Sequence, residues 1–218
     1  MRPLVKGPKP GVLARHEDVW TEEYLQADPS ERRKKERWRH AEIKASLRDE
    51  LGGRCAYCEG YVEDVSFPHV EHMAPKAKFP ELAHRWPNLT SACGVCNIGK
   101  GEYWDEDAAL LNPYEDAVED HLSFFGDFVD WRAGSLKGEA TVKKLRLNRI
   151  DLVASRVRRI EQVRSLVNEW KAAAGGLRDV LAEAIREDLE GGEFGAAVRA
   201  YLLHRGFPLY VDTDQEEG

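Results

Sequence analysis

Four cysteines stand in two pairs of the same spacing, Cys55-Ala56-Tyr57-Cys58 and Cys93-Gly94-Val95-Cys96. Each pair sets two thiolates on one tight turn, and two such turns complete a tetrahedral four-sulfur shell with no open coordination position. That chemistry is a structural zinc site formed by Cys55, Cys58, Cys93 and Cys96. In a turn-rich segment shorter than 50 residues, the metal would supply much of the folding free energy. A pair of disulfides is the alternative. It is disfavoured because a chain of 218 residues needs no such staples. Between and just after the cysteine pairs runs a second series: His69-Val70-Glu71-His72-Met73-Ala74-Pro75-Lys76, then Asn88, then Cys96-Asn97-Ile98-Gly99-Lys100-Gly101. An acid beside a histidine, an asparagine further on, and Asn-x-x-Lys-Gly after the last cysteine form an ordered set.

The order of these residues resembles the HNH endonuclease superfamily, and the resemblance covers residues 55–101. Carried over by position, it implies that His72 is the general base that activates water. Glu71 and Asn97 are implied as ligands of a catalytic divalent ion, and Asn88 as the residue that orients His72. His69, Lys76 and Lys100 become candidate substrate or phosphate contacts. Glu71 stands where Asp or His is commoner in the family. The implied chemistry is self-consistent. An unperturbed imidazole titrates near neutrality and can take a proton from water. A carboxylate and an amide oxygen suit Mg²⁺ or Mn²⁺, which acts as a Lewis acid on the leaving oxygen.

A narrower likeness extends over residues 55–160. It rests on Phe79-Pro80-Glu81-Leu82-Ala83 with Trp86-Pro87-Asn88-Leu89, on Leu111-Asn112-Pro113-Tyr114-Glu115-Asp116 leading to His121-Leu122-Ser123-Phe124, and on Leu145, Leu147 and Asn148 within Thr141 to Arg149. These stretches are similar to retron-associated HNH proteins and to the HNH subunits of Septu-type anti-phage systems. That likeness implies a defence nuclease bound to an ABC/SMC-like ATPase that restrains it. Its substrate would be nucleic acid, DNA with tRNA as the alternative. A non-catalytic zinc module that only binds nucleic acid or the ATPase is the competing reading.

The elements that must position these residues follow from the rest of the chain. Residues 1–20, with three prolines and two glycines, read as an extended arm. Asp28-Pro29 reads as a helix start, with the helix running to Leu51 on Ile43, Leu47 and Leu51 and stopping at Gly52-Gly53. Tyr61-Val62 and Phe67 to His72 read as short strands, and a short helix is expected over Cys93 to Asn97. From about Ala140 the periodicity is helical. One stripe comprises Ile150, Val153, Val157, Ile160, Val163, Val167 and Trp170. A second comprises Leu177, Val180, Leu181, Ala184 and Ile185, and a third Phe194, Ala197, Val198, Tyr201 and Leu202. The tail from Asp212 reads as disordered.

The expected fold class is therefore α+β: a zinc-stabilised ββα-metal core flanked by an N-terminal helix and a C-terminal helical bundle. The expected domains are an arm and basic helix over 1–51, the nuclease core over 52–115, and a mainly helical, partner-docking region over 116–218.

Charge qualifies the nucleic-acid reading. The net charge is −7, but its distribution matters more than its sum. Arg32 to Arg48 holds eight Lys/Arg against two acids, and Leu136 to Lys171 ten against four. Glu102 to Asp130 holds ten acids and no Lys or Arg, and the chain from Arg178 onward four bases against ten acids. Basic segments suit a phosphate backbone and acidic ones a protein partner. No apolar run approaches the roughly 18–20 residues of a membrane span, and Met1 to Pro8 does not read as a secretory signal, so a cytoplasmic location is expected.

Overall fold

In the computed structural model of the protein, residues 1–62 and 68–209 are described. The chain divides into two units, one of residues 1–122 and 131–147, the other of residues 123–130 and 148–218.

In the first unit, the prolines at 3, 8 and 10 hold the first ten residues out of helix, but only those ten. From Gly11 the chain forms α1, Gly11–Gln26, where an extended arm was expected. Pro10 supplies the β-region N-cap, and the free Val12 N–H donates to Glu42 Oε1, so a second helix caps the first. Val12, Leu13 and Tyr24 are buried on its inner side.

The basic helix expected from Asp28 is broken. Arg32–Lys35 and Arg37–Arg39 are 3₁₀ turns, and α2 spans only Ala41–Leu51. A regular helix would stack Arg33 on Arg37 and Lys35 on Arg39 at i,i+4, where like charges repel. The turns instead bury Trp38. His40 then begins α2 as its N-cap, with Nδ1 accepting from Glu42 N, and Gly52, at φ 55°, ends it in the left-handed conformation.

Two strands follow, β1 (His69–His72) and β2 (Leu89–Ala92). They pair antiparallel with His69 opposite Ala92 and His72 opposite Leu89. Tyr61 makes an isolated bridge with Arg54 rather than a strand. Phe67 and the tail from Asp212 lie outside the described residues. α3, Gly94–Lys100, begins at Cys93. The core of this unit joins Val12, Leu13, Tyr24, Trp38, Ile43, Leu47, Ala83, Trp86 and Leu89, with Val70 packed against it. α4 (Val118–His121) and α5 (Leu136–Lys144) complete this unit, while the intervening β3 (Leu122–Phe125) and β4 (Phe128–Trp131) lie mainly in the second.

The second unit holds α6 (Ile150–Ala172), α7 (Gly176–Gly191) and α8 (Gly195–His204), the three helices expected from periodicity. Their core joins Val163, Val167 and Trp170 with Ala182, Ile185 and Leu189 and with Val198, Leu202 and Phe207. The expected stripes are buried at Val163, Val167 and Trp170 of α6 and at Ala197, Val198 and Leu202 of α8, but not throughout. Ile150 is 89% exposed, and Leu177 and Val180 are 61% and 66% exposed. On α7 the inner positions are Ala182, Ile185 and Leu189, so apolar residues lie on both of its sides. No described helix is long and apolar enough to cross a membrane.

α3 owes its position to a close approach. A Cβ on Gly99 would stand 2.8 Å from the Lys144 carbonyl oxygen at the end of α5. Gly99→Ala gains up to about 1 kcal/mol of helix propensity but meets backbone, and overpacking costs roughly 1–3 kcal/mol. The variant should lose about 1 kcal/mol in urea unfolding. A more stable variant would mean that α3 does not rest on that carbonyl.

Candidate metal and nuclease site

The four cysteine sulfurs lie within 4.8 Å of one another, and all four are buried. None is in a disulfide. The local chain explains the convergence. Glu59 N donates to Cys55 O and Cys55 N to Gly60 O, which closes the first turn, while Ala56 N donates to Ser91 O and ties that turn to β2. Cys93 caps α3, its sulfur accepting from Cys96 N. So many thiols this close cannot all ionise without a cation. Burial pushes the Cys55 thiol up, while the neighbouring thiol of Cys55 draws Cys58 down to about 7. Metal–sulfur bonds of ~2.3 Å in a tetrahedron fit this spacing, so the cluster can hold a metal ion.

The antiparallel pair β1–β2 and the following α3 set the second group of side chains. His69 and Glu71 share one face of β1, and Val70 and His72 the other. α3 presents Asn97 and Lys100, three residues apart on one helix side, to the first face. Asn97 Nδ2 is 2.9 Å from His69 Nδ1. Lys100 Nζ is 2.6 Å from Glu71 Oε1 and also donates to the His72 carbonyl oxygen at 2.7 Å. Burial raises the Glu71 carboxyl above its ordinary range, and the Lys100 ammonium opposes that rise. Lys100, with a side chain 3% exposed, is therefore committed inside the protein rather than offered to a phosphate. Lys76 differs. It is half-buried, its ammonium lies 5.6 Å from the Trp38 ring, and its charge acts on both Glu71 and His72.

His72 lies on the opposite face of β1 from Glu71. Its ring is buried, 4.9 Å edge-to-face from Trp38. Nε2 is 2.9 Å from the Ala83 carbonyl oxygen. A carbonyl only accepts, so Nε2 carries the proton and Nδ1 the lone pair. Burial lowers the His72 pKa to about 3, which keeps the ring neutral at neutral pH. The bonds of the Asn88 side chain go elsewhere than to His72. Oδ1 accepts from Ala74 N, and Nδ2 donates to the carbonyls of Ala74 and Leu82. This clamp joins the exit of β1 to Leu82, the residue before Ala83, and the Asn88 carbonyl oxygen accepts from Met73 N, the residue after His72, so Asn88 acts on His72 through its neighbours. Sequence reasoning missed Trp38, the Ala83 carbonyl and the fully buried His84, 5.1 Å from Trp38. No spacing signals them, because Trp38 and the Ala83–His84 pair come from turns far apart in the chain.

The candidate residues thus form two sets back to back: His69, Glu71, Asn97 and Lys100 toward α3, and His72 with Asn88 and Ala83 toward the core. A groove of ≈ 490 Å³, lined among others by Lys44, Arg48, His69 and Val70, runs beside the first set.

The buried Lys100–Glu71 pair should behave as a unit. Lys100→Met leaves a buried carboxylate uncompensated and should cost about 3–5 kcal/mol in denaturant unfolding. Adding Glu71→Gln should restore most of that loss. Equal losses in the single and double variants would show that the ammonium is held by the His72 carbonyl alone.

The segment from Cys55 to just past α3 matches a family model: residues 55–102 correspond to the HNH endonuclease family. The Septu protein PtuB of Bacillus thuringiensis is 32% identical over 149 residues, which cover 68% of this chain and 55% of that protein. The Septu protein PtuB of Bacillus mycoides is 29% identical over 154 residues, covering 56% of this chain and 52% of that protein. The chain therefore spans about half the length of the curated relatives it matches. The two cysteine turns, the strand pair and α3 constitute an HNH endonuclease-family domain, carried in a chain that is similar to Septu PtuB proteins.

Proposed function

We propose that the chain is a nuclease that hydrolyses phosphodiester bonds of nucleic acid with a divalent cation, and that it acts in anti-phage defence under the control of an ATPase partner. The observation that carries this reading is the meeting of β1 and α3, where Glu71 contacts Lys100 and His69 contacts Asn97, beside a four-cysteine cluster within an HNH-family segment.

In this reading the cysteine cluster holds zinc and fixes the strand pair against α3. Glu71 and Asn97 hold a hard cation such as Mg²⁺ or Mn²⁺. The donor set fits, since Lys100 engages one carboxylate oxygen and an amide oxygen completes an oxygen-only pair. When bound, the cation supplies Lewis-acid stabilisation of charge on the leaving oxygen. The chain's own groups do the rest. His72 takes the proton of the attacking water at Nδ1, because the Ala83 carbonyl holds Nε2–H. Asn88 fixes that carbonyl by clamping Ala74 and Leu82. Lys76, close enough to act on both Glu71 and His72, meets the phosphate. Lys44 and Arg48, beside the groove at His69, draw the nucleic-acid backbone toward the strand pair. The acidic α7, with Leu177 and Val180 exposed, suits a protein partner better than a phosphate backbone.

One observation favours a second reading of His72 within the same function. The residue is 4% exposed, its ring against Trp38, as a core histidine would be, and the proton would then leave by another route.

Supercoiled plasmid and total tRNA incubated with the protein and Mg²⁺ or Mn²⁺ should be cut, and EDTA should stop the cutting. Glu71→Gln should be inactive. His72→Ala should lose at least ~100-fold in rate, the usual worth of a general base, with zinc content unchanged. Wild-type rates in His72→Ala would assign the ring to the core. Wild-type rates in Glu71→Gln would remove the metal site itself.

A further inference from the structure

The contact between His69 and Asn97 carries more than its length. An asparagine Nδ2 can only donate a hydrogen bond, so the His69 Nδ1 that it meets at 2.9 Å must be a bare lone pair. An amide presents a donor and an acceptor on opposite sides of its terminal carbon. Turning Nδ2 toward His69 therefore turns Oδ1 away from it. A side-chain amide left to itself can present either atom, and only the oxygen can hold a cation.

We propose that His69 is a positioning residue. By accepting from Asn97 Nδ2, it fixes the amide so that Oδ1, not Nδ2, is offered to the divalent ion shared with Glu71. This rests on the cation site proposed above. His69 and Glu71 lie on the same face of β1, and Asn97 is presented to that face by α3. The alternation of the strand therefore sets the ligand and the residue that orients the other ligand side by side. His69 itself is exposed, so it can be replaced without opening the core. What matters at position 69 is an acceptor aimed at Asn97. A donor-only side chain there would reverse the amide and turn its nitrogen toward the cation.

The test is Mn²⁺ affinity of the full-length, zinc-loaded chain, read by electron paramagnetic resonance without nucleic acid. His69→Gln keeps an acceptor, Oε1, and should bind Mn²⁺ within about threefold of the unsubstituted protein. His69→Lys has donors only and should bind at least ~10-fold more weakly, the low end for loss of a group that orients a metal ligand. In an Asn97→Asp background the carboxylate has an oxygen on each side, so His69→Lys should then cost nothing. Equal affinities for His69→Gln and His69→Lys, whether both intact or both lost, would overturn the positioning role. So would an undiminished loss in the Asn97→Asp background. If Glu71→Gln and Asn97→Ala both keep full Mn²⁺ affinity, the cation site fails instead, and His69 has no ligand to position.

Discussion

Everything in the first unit that concerns chemistry hangs on four sulfur atoms within 4.8 Å of one another. The strands beside them are only four residues long, and an isolated two-stranded ribbon is marginal in water. The cysteine turns supply the missing constraint from both ends. The first turn is bonded to β2 through Ala56 N and Ser91 O, and the second is the start of α3 itself. A cation bound there would neutralise thiolates that otherwise repel one another and would lock α3 against the strand pair. The spacing between β1 and α3, on which Glu71, His69, Asn97 and Lys100 depend, would follow from that lock, while the absence of a side chain at Gly99 lets α3 rest on the Lys144 carbonyl at the end of α5.

From this frame the two faces of β1 acquire different duties. The face toward α3 is polar, and its carboxylate is balanced by a buried ammonium. Such a pair is weak as a source of stability but strong as a constraint, because either charge alone is costly to bury. Lys100 reaches past Glu71 to the His72 carbonyl, so one ammonium fixes the ends of two successive residues. The face toward the core is packed with aromatic rings. There His72 and His84 border Trp38, and burial brings their pKa values down to about 3 and about 4.

Much of the site was legible because the constraints on it are local. Two C-x-x-C turns announce a tetrathiolate cluster whatever surrounds them, and Asn-x-x-Lys after the last cysteine sets Asn97 and Lys100 on one side of a helix. The strand alternation also placed His69 with Glu71. What sequence did not reveal depends on contacts between distant turns. Lys100 read as a phosphate contact because its partner, Glu71, is 29 positions away and only the fold brings them together. The clamp of Asn88 on Ala74 and Leu82, and the Trp38 ring over His72, are likewise products of tertiary packing. The helices of the second unit follow from period, and Ile185 of the second stripe is buried as expected, yet Leu177 and Val180 are exposed while Ala182 and Leu189, outside the stripe, are buried. A stripe of apolar residues says that a face exists, not which neighbour covers it. In the first unit, the prolines near the start argued against helix, but their reach ended at Pro10, and α1 begins at the next residue.

The central claim is that one metal-bearing cluster positions a second, separate cation site between β1 and α3. The most direct measurement is anomalous diffraction from crystals of the zinc-loaded protein soaked in Mn²⁺, with data at the zinc edge and at a wavelength where manganese dominates. The account predicts a zinc peak at the centroid of Cys55, Cys58, Cys93 and Cys96, and a manganese peak within ligand distance of Glu71 and Asn97 Oδ1. A manganese peak elsewhere, or none with the Glu71–Lys100 pair closed as before, would contradict it.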